Sequence, residues 1–389
     1  MGSLSRRRAA GAGIIAGTMP QPLDHHIMWA RSEPHRHRHR LAESDVDPPD
    51  LEAMGLPCRL GLPRATEGLQ AELERALAPL WGAPSGRVML TAGGSEANAI
   101  VFGALLERGD EVLVESPGYQ PHREVPRLFD LSVRRYERPL TGAPIMAAID
   151  RALSATTRMI VLTHPHNPSG APLAADEARA LGELAERRGA WILCDEIFRD
   201  AIAGPRGTVA TLGPRWIATS SLTKVYGLGS LRLGWIAADE RVLARCGPVQ
   251  NALSASPSIP SIALALELMP HLDVLRARSL ALLAANRARW DDLLREGVPF
   301  DSRVRPQGTT AWALFPGPGE GVAFADFASR HASLAVTPGR FFGDPRGIRI
   351  GLGGEPPRCA AALAALREAL AAFAAGGAVP REPLGQENS

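Results

Sequence analysis

The chain has 389 residues, 45% hydrophobic and 22% charged, with a formal net charge of +2, the composition of an ordinary globular protein of one large domain or two. The weak net charge implies no field strong enough to suggest nucleic acid as a partner, and with no run of 18 apolar residues no membrane-spanning helix is expected. Cys58, Cys194, Cys246 and Cys359 are far apart and form no Cys-x-x-Cys pair, so neither a zinc site nor a disulfide framework is expected and a reducing cytoplasm fits.

At the N-terminus, Arg6-Arg7-Arg8 precedes a mildly apolar stretch at 9–19 and faintly resembles a twin-arginine export signal. That stretch is rich in Gly and Ala and no A-x-A site follows, so it reads as a disordered extension. The run His35-Arg36-His37-Arg38-His39-Arg40 would, as a strand, set three histidines on one face. With no ligand set completed nearby, it reads as a solvated basic edge and not as a metal site.

From 86 to 238 short apolar runs alternate with helical patterns. Strands are expected at 88–91, 111–115, 131–136, 159–163, 191–195, 216–220 and 233–238, with helices between most of them, including 95–106 and 174–188. Nearly continuous apolar strands indicate a parallel sheet covered on both faces, hence a doubly wound α/β domain. After Pro260 a long helical region (262–295) precedes short strands near 310–315, 333–336 and 348–352 and a closing helix at 360–374. This pattern suits a smaller α+β domain. The tail from Gly376 is polar and rich in Gly and Pro and reads as disordered.

In an open α/β sheet ligands sit beyond the carboxyl ends of the strands, so the residues following each strand are the candidates. The first strand leads into Gly93-Gly94-Ser95 and a helix. Glycines leave the backbone accessible, the helix start offers N–H groups to an anion, and Ser95 is suited to cap the helix and donate to a phosphate. Tyr119 follows the second strand and is suited to stack on a flat ring. Asn167 follows the fourth, in a turn stiffened by Pro165 and Pro168, with an amide free to donate.

Asp195 closes the apolar fifth strand, where a carboxylate needs a partner such as a protonated pyridine nitrogen. After the sixth strand come Ser221, Lys224 and Arg232. Lys224 is the only lysine among 43 basic side chains; the other 42 are arginines. Unlike a guanidinium, an amine can lose its proton and add to a carbonyl, so Lys224 points to covalent chemistry such as a Schiff base. A lysine left by chance in an arginine-rich composition is the plainer alternative. Lysine, acid, aromatic and anion cradle together describe a pyridoxal 5'-phosphate (PLP) site. In it Lys224 anchors the cofactor, Asp195 holds the ring nitrogen protonated, Tyr119 covers a ring face, Gly93, Gly94, Ser95, Ser221 and Arg232 hold the phosphate, and Asn167 lies near the ring hydroxyl.

On Asn167-Pro168-Ser169-Gly170, Asp195-Glu196-Ile197-Phe198 and Ser221-Leu222-Thr223-Lys224 with Arg232, the chain resembles the fold type I, aspartate aminotransferase-like superfamily in its class I/II branch, from about 29 to 373. The resemblance implies a PLP-dependent transferase-like fold: a large, mostly parallel seven-stranded sheet domain at 55–258 and a small α+β domain at 259–375. Residues 29–54 would belong to the small domain, with 1–28 an extension and 376–389 a tail. It also implies aminotransfer between an α-amino acid and a 2-oxo acid, a homodimer with shared active sites, and no nucleic-acid, membrane or metal partner.

Family pattern assigns Arg349 to the substrate α-carboxylate, and Arg349 alternates with Ile348, Ile350 and Leu352, which turns it away from the apolar side of its strand. The freed Lys224 amine would be the general base, and Ser44 with Asn167 would contact substrate. The chain departs from the pattern at three places. Phe198 stands where a tyrosine usually donates to the cofactor's phenolic oxygen. Residues 60–64 hold no tyrosine for a partner's phosphate, and the usual glycine of the substrate loop is replaced within 41–45. Phe198 motivates a lyase or decarboxylase as the alternative reaction. A non-catalytic PLP-binding regulator is a further alternative, although fewer than 90 residues precede the first core strand and carry no helix-turn-helix pattern. Arg64 and the His/Arg run leave an acidic substrate open.

Overall fold

The structure, a computed structural model, describes residues 25–376 apart from 85, 141–144 and 303. The export-like arginines and nearly all of the expected tail lie outside the described residues. Helix α1 (His26–Ser32) starts inside the expected extension, so 26–28 are helical. Strand β1 (His39–Leu41) and helix α2 (Leu69–Leu80) follow.

The central alternation is β2 (Val88–Thr91), α3 (Gly94–Leu105), β3 (Glu111–Ser116), α4 (Pro121–Glu124), β4 (Ser132–Glu137), α5 (Met146–Ala152), β5 (Thr157–Thr163), α6 (Ala175–Arg188), β6 (Trp191–Asp195), β7 (Trp216–Ser221) and β8 (Gly234–Ala237). Then come α7 (Glu240–Leu253), α8 (Ile259–Leu268), α9 (Leu272–Arg295), β9 (Thr310–Leu314), α10 (Glu320–Ala332), β10 (Leu334–Pro338), β11 (Gly347–Gly351) and α11 (Pro356–Ala374).

Seven strands form one sheet in the order β2-β8-β7-β6-β5-β3-β4, parallel except that β8 runs antiparallel to both neighbours. Its central strands are apolar on both faces because both are covered. Val112, Val114, Val161 and Leu193 pack with Ile100, Val101 and Phe102 of α3. Leu113, Ile160, Leu162 and Ile192 join the opposite core with Leu181 and Leu184 of α6. Helix α6 shows why such segments are helical. Glu177 accepts from Ala174 N at its start, Arg187 and Arg188 suit the negative end of its dipole, and Gly189 closes it at φ 63°.

The second sheet, β1-β10-β11-β9, carries the N-terminal segment through a parallel β1–β10 pairing, His39 opposite Leu334. The basic run is therefore strand only from His39. His35 Nδ1 lies 3.0 Å from Arg40 Nη1, and His37 Nε2 lies 3.5 Å from Glu33 Oε1. Among the described residues no group of three His, Cys, Asp or Glu is placed to hold a metal, and no helix is long and apolar enough to cross a membrane.

The long helical region after Pro260 is two helices, α8 and α9, separated by a tight turn at Met269–His271. Pro270 lacks the N–H that a continuous helix would need at that position. Helix α11 starts four residues before the expected 360, with Pro356 and Pro357 in its first turn, where a missing N–H costs nothing.

At the carboxyl end of β3, Glu115 Oε2 accepts from Arg138 Nη1 at 2.8 Å, and both side chains are buried. Glu115 Oε1 accepts from Thr163 N at 2.8 Å, which ties β3 to the end of β5. Breaking a buried pair from one side strands a charge and costs about 3–5 kcal/mol. Arg138→Met is therefore expected to lower the unfolding free energy in urea by about that amount, and adding Glu115→Leu should recover most of the loss.

Candidate active site

The ends of β3, β5, β6 and β7 and the start of α3 open onto a cavity of about 120 Å³. Gly94, Ser95, Tyr119, Asn167, Asp195, Phe198, Lys224, Arg349 and Ser44, all expected from the sequence, line it. Gly93, Ser221 and Arg232 are not among the lining residues, although Gly93 precedes Gly94 and lies against Arg232.

The anion cradle rests on close backbone approach. Gly93 has φ 91°, and a Cβ there would lie 2.7 Å from Arg232 Nη2. A Cβ on Gly234 would lie 2.6 Å from Gly93 C and 2.7 Å from Gly94 N. Only glycines let β8, the loop and the guanidinium meet. Ser95 does not cap α3. The cap position is Gly93, which has no side chain to offer, so Ser95 sits in the first turn with an exposed side chain. The Ser221 hydroxyl accepts from Thr223 N at 3.1 Å and keeps its own proton to donate. Free N–H groups, two hydroxyls and a guanidinium suit a phosphate.

Asp195 is held by a network that sequence reading missed. Its Oδ2 accepts from Asn98 Nδ2 at 3.2 Å and lies 3.3 Å from His122 Nε2, and its Oδ1 accepts from Ile197 N at 3.1 Å. Asn98 Oδ1 in turn accepts from Thr219 Oγ1 at 2.7 Å. The available signals were faint: Asn98 lies one helical turn beyond Gly94 and His122 three residues beyond Tyr119. Tyr119 is partly exposed and meets the His122 ring edge-on at 5.3 Å. Burial, then the Asp195 charge, pushes its phenol up to about 12, so it stays protonated at neutral pH.

Arg349 is 2% exposed. Its Nη1 donates to Asn167 Oδ1 at 3.3 Å and its Nη2 to Ala42 O at 2.7 Å, while its buried Nε has no partner. Burial lowers it to about 10, which leaves it a cation at neutral pH. Lys224 Nζ lies 3.9 Å from Asp45 Oδ1. Arg64 is exposed and lies outside the cavity lining. The unexpected ionisable lining residues are His26, Glu43 and Asp45.

The donor set fits PLP. Lys224 offers the amine and Asp195 the carboxylate for a ring nitrogen. The cradle suits the phosphate, and Asn167, whose Oδ1 is occupied by Arg349, has its NH2 left to donate. Phe198 is buried at the same wall and has no group to donate.

His164 and His166, which precede Asn167, are buried. Burial first, with Arg199 near His164 and Arg138 near His166, lowers His164 to about 3 and His166 well below its ordinary value. Both are neutral in the fold and take up protons on unfolding. Their contribution is present above pH ~6.5 and is lost as pH falls towards 3. The slope of unfolding free energy between pH 6 and 4 should drop by up to ~1.4 kcal/mol per pH unit for each of His164→Gln and His166→Gln, measured by denaturant titration.

The pattern of the family described as aminotransferase class I and II matches residues 65–366. Capreomycidine synthase of Streptomyces vinaceus is 32% identical over 304 residues, 75% of this chain and 77% of that one. An aspartate aminotransferase of Streptomyces avermitilis is 24% identical over 289 residues, 68% and 69% of the two chains. Among solved structures, a PLP-dependent aminotransferase from Streptococcus suis superposes with a TM-score of 0.81 at 21% identity, over 91% of this chain and 99% of that one. The PLP-dependent cyclase OrfR superposes with a TM-score of 0.77 at 24% identity, over 95% and 99%. A fold, a PLP-compatible donor set and a family pattern across most of the chain agree: this protein belongs to the class I and II aminotransferases, enzymes dependent on pyridoxal phosphate.

Proposed function

We propose that the enzyme moves an amino group between an α-amino acid and a 2-oxo acid, with Lys224 as covalent anchor and proton carrier. The observation that carries this reading is that the only lysine, a fixed carboxylate and a buried guanidinium line one cavity. PLP, when bound, supplies an electron sink that makes the Cα proton of an amino acid acidic. Asp195, held by Asn98, His122 and the Ile197 N–H, keeps a proton on the ring nitrogen. Arg349, with an unpartnered Nε, binds and orients the α-carboxylate, which fixes which bond at Cα is presented. The Lys224 amine takes the Cα proton and returns it to a neighbouring atom. The neutral Tyr119 ring covers the cofactor. A homodimer in a reducing compartment belongs to the same reading; all four cysteines are free.

A second reading keeps the site and changes the fate of the substrate: a lyase, decarboxylase or cyclase. Phe198, unable to donate to the cofactor's phenolic oxygen, favours it, as does likeness to proteins named capreomycidine synthase and PLP-dependent cyclase.

The visible spectrum tests both readings. Purified protein with PLP is expected to show absorbance that Lys224→Ala abolishes. That absorbance should disappear on adding a donor amino acid and return on adding a 2-oxo acid, with one acceptor aminated per donor consumed. Product formed without any 2-oxo acid, as ammonia, carbon dioxide or a cyclised amino acid, would move the assignment to the second reading. No Lys224-dependent absorbance would overturn both. Arg349→Ala is expected to lower kcat/KM about a hundredfold, about 2.7 kcal/mol of lost transition-state binding.

A further inference from the structure

Once the roles above are assigned, charge is left over in the cavity. Arg349 is matched by the substrate α-carboxylate, Asp195 by the ring nitrogen, and the Lys224 amine is committed to the cofactor. Glu43, Asp45 and His26 remain among the ionisable lining residues. Glu43 Oε1 has a partner in Arg40 Nε at 3.5 Å. Asp45 pairs with Lys224 Nζ, so commitment of that amine leaves the Asp45 carboxylate at the cavity with only the Arg349 guanidinium, itself matched by the α-carboxylate, acting on it.

His26 is an independent observation. Its ring is 3% exposed, lines the cavity, and has no hydrogen-bond partner at either nitrogen. Burial, then the Arg349 charge, holds it neutral, with one nitrogen left to accept. A buried imidazole without partners is costly unless a ligand supplies them. Beside it, Ile27, Ala30 and Pro34 give the wall an apolar stretch.

The backbone that carries the Asp45 carboxylate is held in place. Asp45 O would lie 2.0 Å from a Cβ on Gly353 and Glu43 O 2.0 Å from one on Gly351. Thr309 Oγ1 donates to Ser44 O at 2.5 Å, and Val46 N donates to Lys224 O at 2.9 Å.

We infer that the substrate is an α-amino acid whose aliphatic side chain ends in an N–H-bearing cation, recognised by Asp45 and His26. This deepens the amino-acid reading above and rests on it. An acidic side chain would meet Asp45 and Glu43 and be repelled, which argues against the acidic substrate that Arg64 and the His/Arg run left open.

The test is binding of L-lysine, L-norleucine and L-glutamate to the PLP-loaded protein, followed by calorimetry and by the visible spectrum. Lysine and norleucine differ mainly in the terminal ammonium. Lysine is expected to bind at least tenfold more tightly than norleucine, with glutamate weakest. Asp45→Asn should bring the lysine-to-norleucine ratio towards one, and His26→Leu should lower it several-fold, so a variant that fails to fold leaves the other to decide. Equal binding of lysine and norleucine, tightest binding of glutamate, or a ratio untouched by both variants would overturn the inference while leaving the amino-acid reading in place. Failure of every amino acid to bind would overturn that reading, and this inference with it.

Discussion

The site depends on one crossing of the chain. Residues 41–49 pass over the Lys224 loop and beside the end of β11, closer than side chains would allow. A Cβ on Gly227 would lie 2.9 Å from Asp47 O, and Cβ atoms on Gly351 and Gly353 would lie 2.0 Å from Glu43 O and Asp45 O. The crossing is latched by Val46 N to Lys224 O, Thr309 Oγ1 to Ser44 O and Arg349 Nη2 to Ala42 O. A segment that begins far from the lysine in sequence thereby becomes one wall of its cavity. Three glycines from two different regions make that possible.

Behind this wall lies a layer of buried polar groups that bond to one another. The Asn98–Thr219–His122 set fixes Asp195, and Glu115 with Arg138 joins the ends of β3 and β5 beneath the loop that carries Asn167. Each group is expensive to bury alone and tolerable in company. The arrangement gives rigid positions for charges that must act without solvent, and it places those positions at the carboxyl ends of the parallel strands, where helix starts add their own positive ends.

Much of this was readable from the sequence, for physical reasons that vary along the chain. The central strands β3, β5 and β6 show as apolar runs because a sheet covered on both faces needs apolar residues there, and Lys224, Asp195 and Asn167 show because each is a polar interruption at or after a strand end. Strand β1 is invisible locally: the last two residues of the basic run and Leu41 become strand only by pairing with β10 nearly 300 residues later. The cap assigned to Ser95 failed because a glycine pair starts the helix one residue earlier than the pattern suggests. Asn98, His122 and Thr219 escaped notice because their work is defined by a shared carboxylate, a relation that spacing along the chain does not encode. His26 and Asp45 needed the crossing itself.

The arginine bias has a consequence for handling this molecule. A protein ordinarily presents many ε-amines at its surface, and reagents that acylate or crosslink amines scatter over them. Here the described chain presents one, three-quarters shielded within the cleft. Acylating chemistry directed at ε-amines would act as an active-site reagent, and immobilisation through them would block the cavity. Proteases that cut after lysine would find a single peptide bond, on the loop beneath the N-terminal crossing.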